Sequence, residues 1–167
     1  MRVLFATMML MVHLHGFPQE KDQNLIETTC KNTPNYQLCI YTLRANRGSI
    51  NTNVAGLGLI MVDAVKAKAK ETRNAIQKLK GSRPELRNPL NECTKGYNAI
   101  LEADVPEAVE ALTKGDPKFA ENGMADSSVE TVLCEDRFKQ GKSPLTRLNK
   151  AVRDLSDVAR AIIRNLL

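Results

Sequence analysis

Residues 143–167 of the 167-residue chain read SPLTRLNKAVRDLSDVARAIIRNLL, and this stretch decides the fold. Its apolar residues recur at alternating steps of three and four, which places them on one face of an α-helix. That apolar stripe consists of Leu145, Leu148, Val152, Leu155, Ala159, Ile162 and Leu166. Ser143 and Pro144 predict the start of the helix, as an N-cap followed by proline at the first helical position. Because a lone helix of this kind is marginal in water, the stripe must be buried against other helices.

Earlier segments of the chain carry matching apolar faces. They lie at residues 52–80, 89–114 and, more weakly, 117–139. Gly81 predicts the end of the first segment, and Gly115 and Gly141 punctuate the two ends of the last. Since strand signals are nearly absent, the pattern predicts an all-α protein, with an up-down-up-down four-helix bundle over residues 52–167.

Two positions predict local disturbances within these helices. Pro106 lacks a backbone donor and would clash with the carbonyl of Glu102, so we expect a kink or break there. The Asn122-Gly123 pair is a turn-forming dipeptide and is expected to disturb the start of the 117–139 segment.

A short helical hairpin is predicted ahead of the bundle, over residues 24–47. Cys30 and Cys39 lie within it, whereas Cys93 and Cys134 lie in the bundle. Four cysteines allow three pairings, and the simplest joins Cys30 to Cys39 and Cys93 to Cys134. Neither pair has the spacing of a zinc site, which disfavours the metal-binding alternative. Paired cysteines fit an oxidising compartment.

The N-terminal stretch is typical of a secretory signal peptide. A short positive start at Met1 and Arg2 precedes a mostly apolar run at residues 3–14, which is too short to span a bilayer. We expect a signal peptide over residues 1–20, with its boundary between 16 and 23, and one domain over residues 24–167. The alternative, a buried N-terminal helix, would need a polar face that this run lacks.

The chemistry of a typical enzyme is missing from the sequence. Its two histidines, His13 and His15, would leave with the signal peptide, so a Ser-His-Asp or Cys-His arrangement is excluded in the mature chain. Lys142-Ser143 is a weak candidate for a Ser–Lys pair, because Ser143 already has a capping role. Carboxylate pairs such as Glu107 with Glu110 are best interpreted as solvated surface charge. We therefore expect no enzyme activity, no cofactor and no metal.

The net charge of +5 does not indicate nucleic-acid binding. Lys and Arg are scattered among Asp and Glu, and only 4% of the residues are aromatic. A nucleic-acid interface would cluster cations beside aromatic platforms.

Four stretches resemble the plant invertase inhibitor and pectin methylesterase inhibitor family. They are ETTCKNTPNYQLC at 27–39, LIMVDAVKAKA at 59–69, PEAVEALTKGDPKFAE at 106–121 and LSDVARAIIRNLL at 155–167. The third and fourth are similar to the invertase-inhibitor branch in particular. The resemblance extends over essentially the whole mature chain, and it implies a hairpin followed by a four-helix bundle with the two disulfides given above.

The resemblance also implies a function and a site. Members bind acid invertases, the β-fructofuranosidases that split sucrose, one to one, and a Pro-Lys-Phe element enters the sugar-binding cleft. Here that element is Pro117, Lys118 and Phe119, with Gly115 and Asp116 expected to set the turn and cap the next helix. Lys118 offers a cation to the carboxylates of such a cleft, and Phe119 offers an apolar ring.

Two other functions compete with invertase inhibition. The resemblance also allows inhibition of pectin methylesterase, which would use the same fold. A more distant alternative, independent of the resemblance, is a helical carrier of a small apolar ligand, which would need an apolar cavity between the helices. We expect a plant acid invertase as partner, no nucleic acid, no membrane, and a monomer in the free state. The secretory route predicts the cell wall, that is the apoplast, or the vacuole.

Overall fold

The computed structural model describes residues 20–139 and 143–167, with side chains from residue 24 onward. The expected signal peptide with both histidines therefore lies largely outside the described residues. Gly141 and Lys142 lie outside them as well, so the expected helix end at Gly141 and the Ser–Lys pair stay predictions.

The described chain is built from α-helices. They are α1 Glu20–Lys31, α2 Tyr36–Ala45, α3 Val54–Ser82, α4 Arg87–Ala99, α5 Val105–Lys114, α6 Pro117–Asp136 and α7 Thr146–Arg164. Short 3₁₀ turns at Arg47–Ser49 and Pro84–Leu86 precede α3 and α4, and a π-helical segment, Ile100–Asp104, joins α4 to α5. No strand occurs in the described ranges, which confirms the all-α prediction.

Four rods form the bundle: α3, the continuous α4–α5 rod, α6 and α7. Each packs on the next, and α7 closes the bundle against α3. Contacts show that neighbouring rods run in opposite directions. Cys93, in the first part of the α4–α5 rod, is bonded to Cys134 near the end of α6. Similarly, Glu121 near the start of α6 contacts Arg160 near the end of α7. The up-down-up-down arrangement therefore follows from contacts between opposite ends of successive rods.

The C-terminal stripe lies in the core as predicted. Leu145, Val152, Ala159 and Ile162 are fully buried, and Leu155 is nearly so. The start of α7 differs from the prediction, however, since the helix begins at Thr146. The hydroxyl of Ser143 accepts a hydrogen bond from the N–H of Leu145, two residues on, which makes a turn ahead of the helix rather than a helix cap.

The expected break at Pro106 takes another form. The rod continues through the π segment, where the N–H of Val105 donates to the carbonyl of Ile100, five residues earlier. Pro106 then falls in the first turn of α5, where a missing donor costs little. A π turn thus accommodates the proline without ending the helix.

Two glycine predictions were wrong. Helix α3 runs through Gly81 to Ser82, and α6 runs through Asn122 and Gly123. A Cβ atom at Gly123 would lie 2.7 Å from the backbone oxygen of Asp104. Gly123 therefore marks a close approach of α6 to the π segment, which local turn propensity cannot reveal.

The N-terminal hairpin consists of α1 and α2. Cys30 is bonded to Cys39, so both disulfides have the simplest pairing. Within the described residues α1 begins at Glu20, ahead of the predicted start of the hairpin at residue 24, and α2 begins at Tyr36. The hairpin packs on α3 and α7 of its own bundle, where Ile26 and Leu43 are buried.

Candidate functional site

The predicted Pro-Lys-Phe element lies at the junction of α5 and α6. Helix α5 ends at Lys114, and Gly115 follows it with a left-handed φ of 81°, in keeping with the turn expected at this glycine. The N–H of Asp116 donates back to the carbonyl of Ala111 at 2.8 Å. Pro117 follows as the first residue of α6 and fixes the backbone there. Lys118 and Phe119 are thus held on a defined turn.

The predicted capping role of Asp116 was wrong. Asp116 occupies the N-cap position of α6, but its side chain accepts no capping hydrogen bond. Its φ of −115° and ψ of 63° differ from the extended conformation that aims a capping side chain at the helix. The backbone carbonyl of Asp116 accepts from the N–H of Phe119 at 3.2 Å instead.

Phe119 is an exposed aromatic residue. It is 53% accessible, although an aromatic ring of this size is normally largely covered. The ring borders a depression of about 280 Å³ lined by Glu107, Glu110, Ala111, Lys114, Asp116 and Phe119 itself. A ring beside a concave surface offers an apolar contact to a partner.

Lys118 points the other way and pairs with Glu121. The ammonium Nζ lies 2.5 Å from Oε2 of Glu121. The Lys118 side chain remains 62% exposed, whereas that of Glu121 is 3% exposed. The cation is therefore available to a partner but already has an internal one.

Glu121 is also bound from α7. Its other oxygen, Oε1, accepts from Nε of Arg160 at 2.8 Å and from Nε of Arg164 at 2.9 Å. The hydrogen bond from Lys118, then those from the two arginines, lowers the pKa of the Glu121 carboxyl to about 2. Three cations around one carboxylate give these four side chains together a net charge of +2.

We call Lys118, Glu121, Arg160 and Arg164 the Glu121 cluster. No role for Glu121, Arg160 or Arg164 was predicted from the sequence. A partial signal was present, because Lys118 and Glu121 are three apart, as are residues that face each other on a helix. The contribution of α7 comes from tertiary packing, since Glu121 and Arg160 are far apart in the chain.

A basic groove adjoins the Glu121 cluster. It has a volume of about 570 Å³ and separates the hairpin turn from the end of α7. Its lining includes Lys31, Arg160 and Arg164, with Asp157 as the opposing charge. Asp157 accepts a hydrogen bond from the hydroxyl of Ser128 at 2.8 Å.

The carboxylate pairs of the sequence have partners in the structure. Glu110 pairs with Lys114, and Asp154 pairs with Lys150, on the surface of the same helix in each case. All four cysteines are in disulfides, and no group of three metal-ligating side chains occurs in residues 20–139 and 143–167. In the same residues, none of the helices combines the length and the apolar character that crossing a bilayer requires.

Comparison with known proteins assigns the family. The family described as "Plant invertase/pectin methylesterase inhibitor" matches residues 24–162, which include the hairpin and nearly all of the bundle. The chain belongs to this family. Its members are inhibitors rather than enzymes, which confirms the predicted absence of enzyme activity at the level of the family.

This chain has several relatives whose names describe a function. It is 45% identical over 139 residues, 83% of this chain and 67% of the relative, to "Cell wall / vacuolar inhibitor of fructosidase 1" of Arabidopsis thaliana. It is 29% identical to a "Putative invertase inhibitor" of Platanus orientalis, over 86% of this chain and 90% of the relative. A "Pectinesterase inhibitor" of Actinidia deliciosa is also 29% identical, over 98% of this chain and 93% of the relative.

The fold of this chain is shared with solved structures. A mutant form of a pectin methylesterase inhibitor from Arabidopsis superposes with a TM-score of 0.72 at 22% identity, covering 83% of this chain and 95% of the other. A second structure of such an inhibitor, from Arabidopsis thaliana, gives a TM-score of 0.64 at 21% identity, covering 85% of this chain and 95% of the other. At these identities the likeness concerns the fold alone.

Proposed function

We propose that this protein inhibits a plant acid invertase, a β-fructofuranosidase, in a one-to-one complex. In this complex Pro117, Lys118 and Phe119, next to Asp116, occupy the sucrose-binding cleft. The observation that carries the proposal is the α5–α6 junction, where an exposed ring and an exposed cation project from a turn held by Gly115 and Pro117. The relative named as an inhibitor of fructosidase supports the choice of target.

The junction suits a glycosidase cleft chemically. Such clefts hold a pair of carboxylates that act on the glycosidic bond. The Lys118 ammonium is a compact charge with three donors, which matches an anionic cleft, while the ring of Phe119 fits a surface that normally stacks on sugar. Because Pro117 and the Gly115 turn restrict the backbone before binding, little ordering entropy is lost on association.

The location proposed for the protein is the secretory route, ending in the cell wall or the vacuole. Two disulfides favour an oxidising compartment. The signal peptide expected over residues 1–20 and the relative's name, which includes both "cell wall" and "vacuolar", support the same route.

The test is sucrose hydrolysis by purified cell-wall and vacuolar invertases in the presence of the oxidised mature protein. A pectin methylesterase assay runs in parallel. The key variant is Lys118→Ala with Phe119→Ala. A matched control, Lys95→Ala with Val129→Ala, removes another exposed lysine from an i,i+3 ion pair and an equally exposed apolar side chain elsewhere.

Each outcome has a distinct meaning. We expect wild type and the control to inhibit an invertase, and the Lys118/Phe119 variant, with unchanged helical circular dichroism, to lose most inhibition. Inhibition of pectin methylesterase alone would assign the sister function, which the relative named pectinesterase inhibitor makes the second candidate. Equal inhibition by the key variant and the control would exclude the junction as the site.

A further inference from the structure

The two oxygens of Glu121 have different partners. Oε2 accepts from Lys118 of the same helix, whereas Oε1 accepts from Arg160 and Arg164 of α7. Glu121 is buried, so a charge at this position requires a counter-charge. The two guanidinium groups supply one whether or not Lys118 is present.

We infer that Glu121 holds Lys118 in the free protein and that Arg160 and Arg164 keep Glu121 neutralised when Lys118 transfers to a carboxylate of the target. The inference rests on the function proposed above, and it assigns positioning roles to three residues outside the Pro-Lys-Phe element. Glu121 orients the Lys118 ammonium before binding. The two arginines lower the free-energy cost of releasing that ammonium, because Glu121 keeps their positive charge.

The geometry favours release of Lys118 over release of the arginines. The Lys118 side chain is 62% exposed and bonds to Glu121 through a single flexible ammonium, so its stem can swing outward. The Arg160 and Arg164 side chains are themselves 37% and 55% exposed, but Glu121 keeps one guanidinium partner if the other detaches. Both arginines lie on α7, whose adjoining residues Ala159 and Ile163 are fully buried in the core. Glu121 therefore stays bound to α7 while its bond to Lys118 is exchanged for one to the target.

The arrangement has a consequence for substitutions at the arginines. Without Arg160 and Arg164, the buried Glu121 would depend on Lys118 alone, and leaving it unpaired would be costly. Lys118 would then be held more firmly by its own protein and less available to the target. Arg160→Gln with Arg164→Gln should therefore weaken inhibition. The effect is indirect, because it results from the reduced availability of Lys118 and does not require the arginines to contact the enzyme.

A double-mutant cycle tests this coupling. The inhibition constant for invertase is measured at fixed pH and ionic strength for wild type, Lys118→Met, the Arg160→Gln/Arg164→Gln pair and the combination of all three. We expect the arginine pair to raise the inhibition constant about tenfold when Lys118 is present, a size typical of contacting residues, and to have little effect in the Lys118→Met background. Arg147→Gln with Arg153→Gln, the same charge change elsewhere on α7, is the matched control and should change the constant little in either background.

An assay on the free protein tests the first half of the inference without any invertase. Amine acetylation followed by mass spectrometry reports how accessible each lysine nitrogen is. Glu121→Gln should raise the acetylation rate of Lys118 several-fold and leave that of Lys114, which pairs with Glu110, unchanged. Helical circular dichroism equal to that of wild type shows that the variant is folded.

The failures are distinguishable. An equal effect of the arginine pair with and without Lys118, or an unchanged acetylation rate at Lys118 in Glu121→Gln, would overturn the exchange while leaving the proposed function intact. Absence of inhibition by wild type, or full inhibition by Lys118→Met, would overturn the proposed contact of Lys118 and the exchange with it.

Discussion

Two buried carboxylates, Asp104 and Glu121, differ in what surrounds them. Glu121 is encircled by cations, so its pKa lies well below the ordinary value. Asp104 accepts one hydrogen bond, from the hydroxyl of Ser127 at 3.2 Å, and faces acidic neighbours. Burial first, and then the charges of Asp126, Glu130 and Glu107, raise the pKa of Asp104 to about 6.

The raised pKa of Asp104 predicts a stability that decreases as pH rises. The folded protein holds the Asp104 proton up to about pH 6, whereas the unfolded chain releases it near its ordinary pKa of 3.8. Folding is therefore favoured by this group at low pH, and that advantage is lost as pH rises from about 4 to about 6. A shift of about two pKa units corresponds to about 3 kcal/mol.

Asp104→Asn removes this titration and keeps an acceptor for Ser127. We compare the free energy of unfolding of the variant with that of wild type at each pH. The difference between the two proteins should shift in favour of the variant by up to about 3 kcal/mol between pH 4 and neutral pH. Urea unfolding of both proteins at the two pH values measures it. Because all other carboxyl groups are shared, a difference between the proteins that does not change with pH would contradict the prediction.

At the scale of secondary-structure elements, the π segment and α6 depend on each other. Gly123 lets α6 approach the backbone of Asp104. Asp104 lies in the π segment, where the backbone hydrogen bonds span five residues instead of four, just ahead of Pro106. The start of α7 is a second such case, because the Ser143 hydroxyl bonds locally and shifts the helix start to Thr146. Sequence periodicity identified these helices, but neither their exact ends nor their contact points.

Gly123→Ala and Gly81→Ala should change stability in opposite directions. Both glycines lie in helices, where alanine is intrinsically favoured by about 1 kcal/mol. A Cβ at Gly81 meets nothing within 4 Å, so that substitution should stabilise the protein by up to that amount. At Gly123 the clash with the Asp104 carbonyl should outweigh the propensity and destabilise by about 1–3 kcal/mol. Urea unfolding measures both, and a stabilising Gly123→Ala would show that the rods separate easily.

For the molecule as a whole, the two disulfides constrain the unfolded chain to different extents. Cys30 and Cys39 are 9 positions apart and close the hairpin, whereas Cys93 and Cys134 are 41 apart and join two rods of the bundle. Since loop-closure entropy grows with loop length, the longer-range bridge should contribute more to stability.

Removing each bridge separately tests this order. Chain entropy predicts a loss of about 4 kcal/mol for Cys93→Ala with Cys134→Ala and about 2.5 kcal/mol for Cys30→Ala with Cys39→Ala. Urea unfolding under non-reducing conditions gives both values, and reduced wild type should be less stable than either variant. A larger loss for the hairpin bridge would mean that the hairpin stabilises the folded bundle in a way that loop length does not capture.

From the sequence alone one can predict the helical class, the buried stripe of α7, the turn at Gly115 and the family. These features depend on the spacing of residues along the chain or on long stretches that resemble the family, and both can be recognised without a structure. The position of Lys118 and Phe119 at a helix junction was also predictable, because glycine and proline act within a few residues of themselves.

The tertiary structure alone decided which distant residues meet. Glu121 became the partner of Arg160 and Arg164 only because α6 and α7 run antiparallel, and Gly123 acquired its role only because the π segment packs on α6. In the same way, the hydroxyl of Tyr97 donates to Asn149 at 2.8 Å, and Asn149 donates to Glu135 at 2.7 Å, across three rods. Propensity and periodicity describe neighbours along the chain, whereas charge pairing and close backbone approach depend on how whole helices dock.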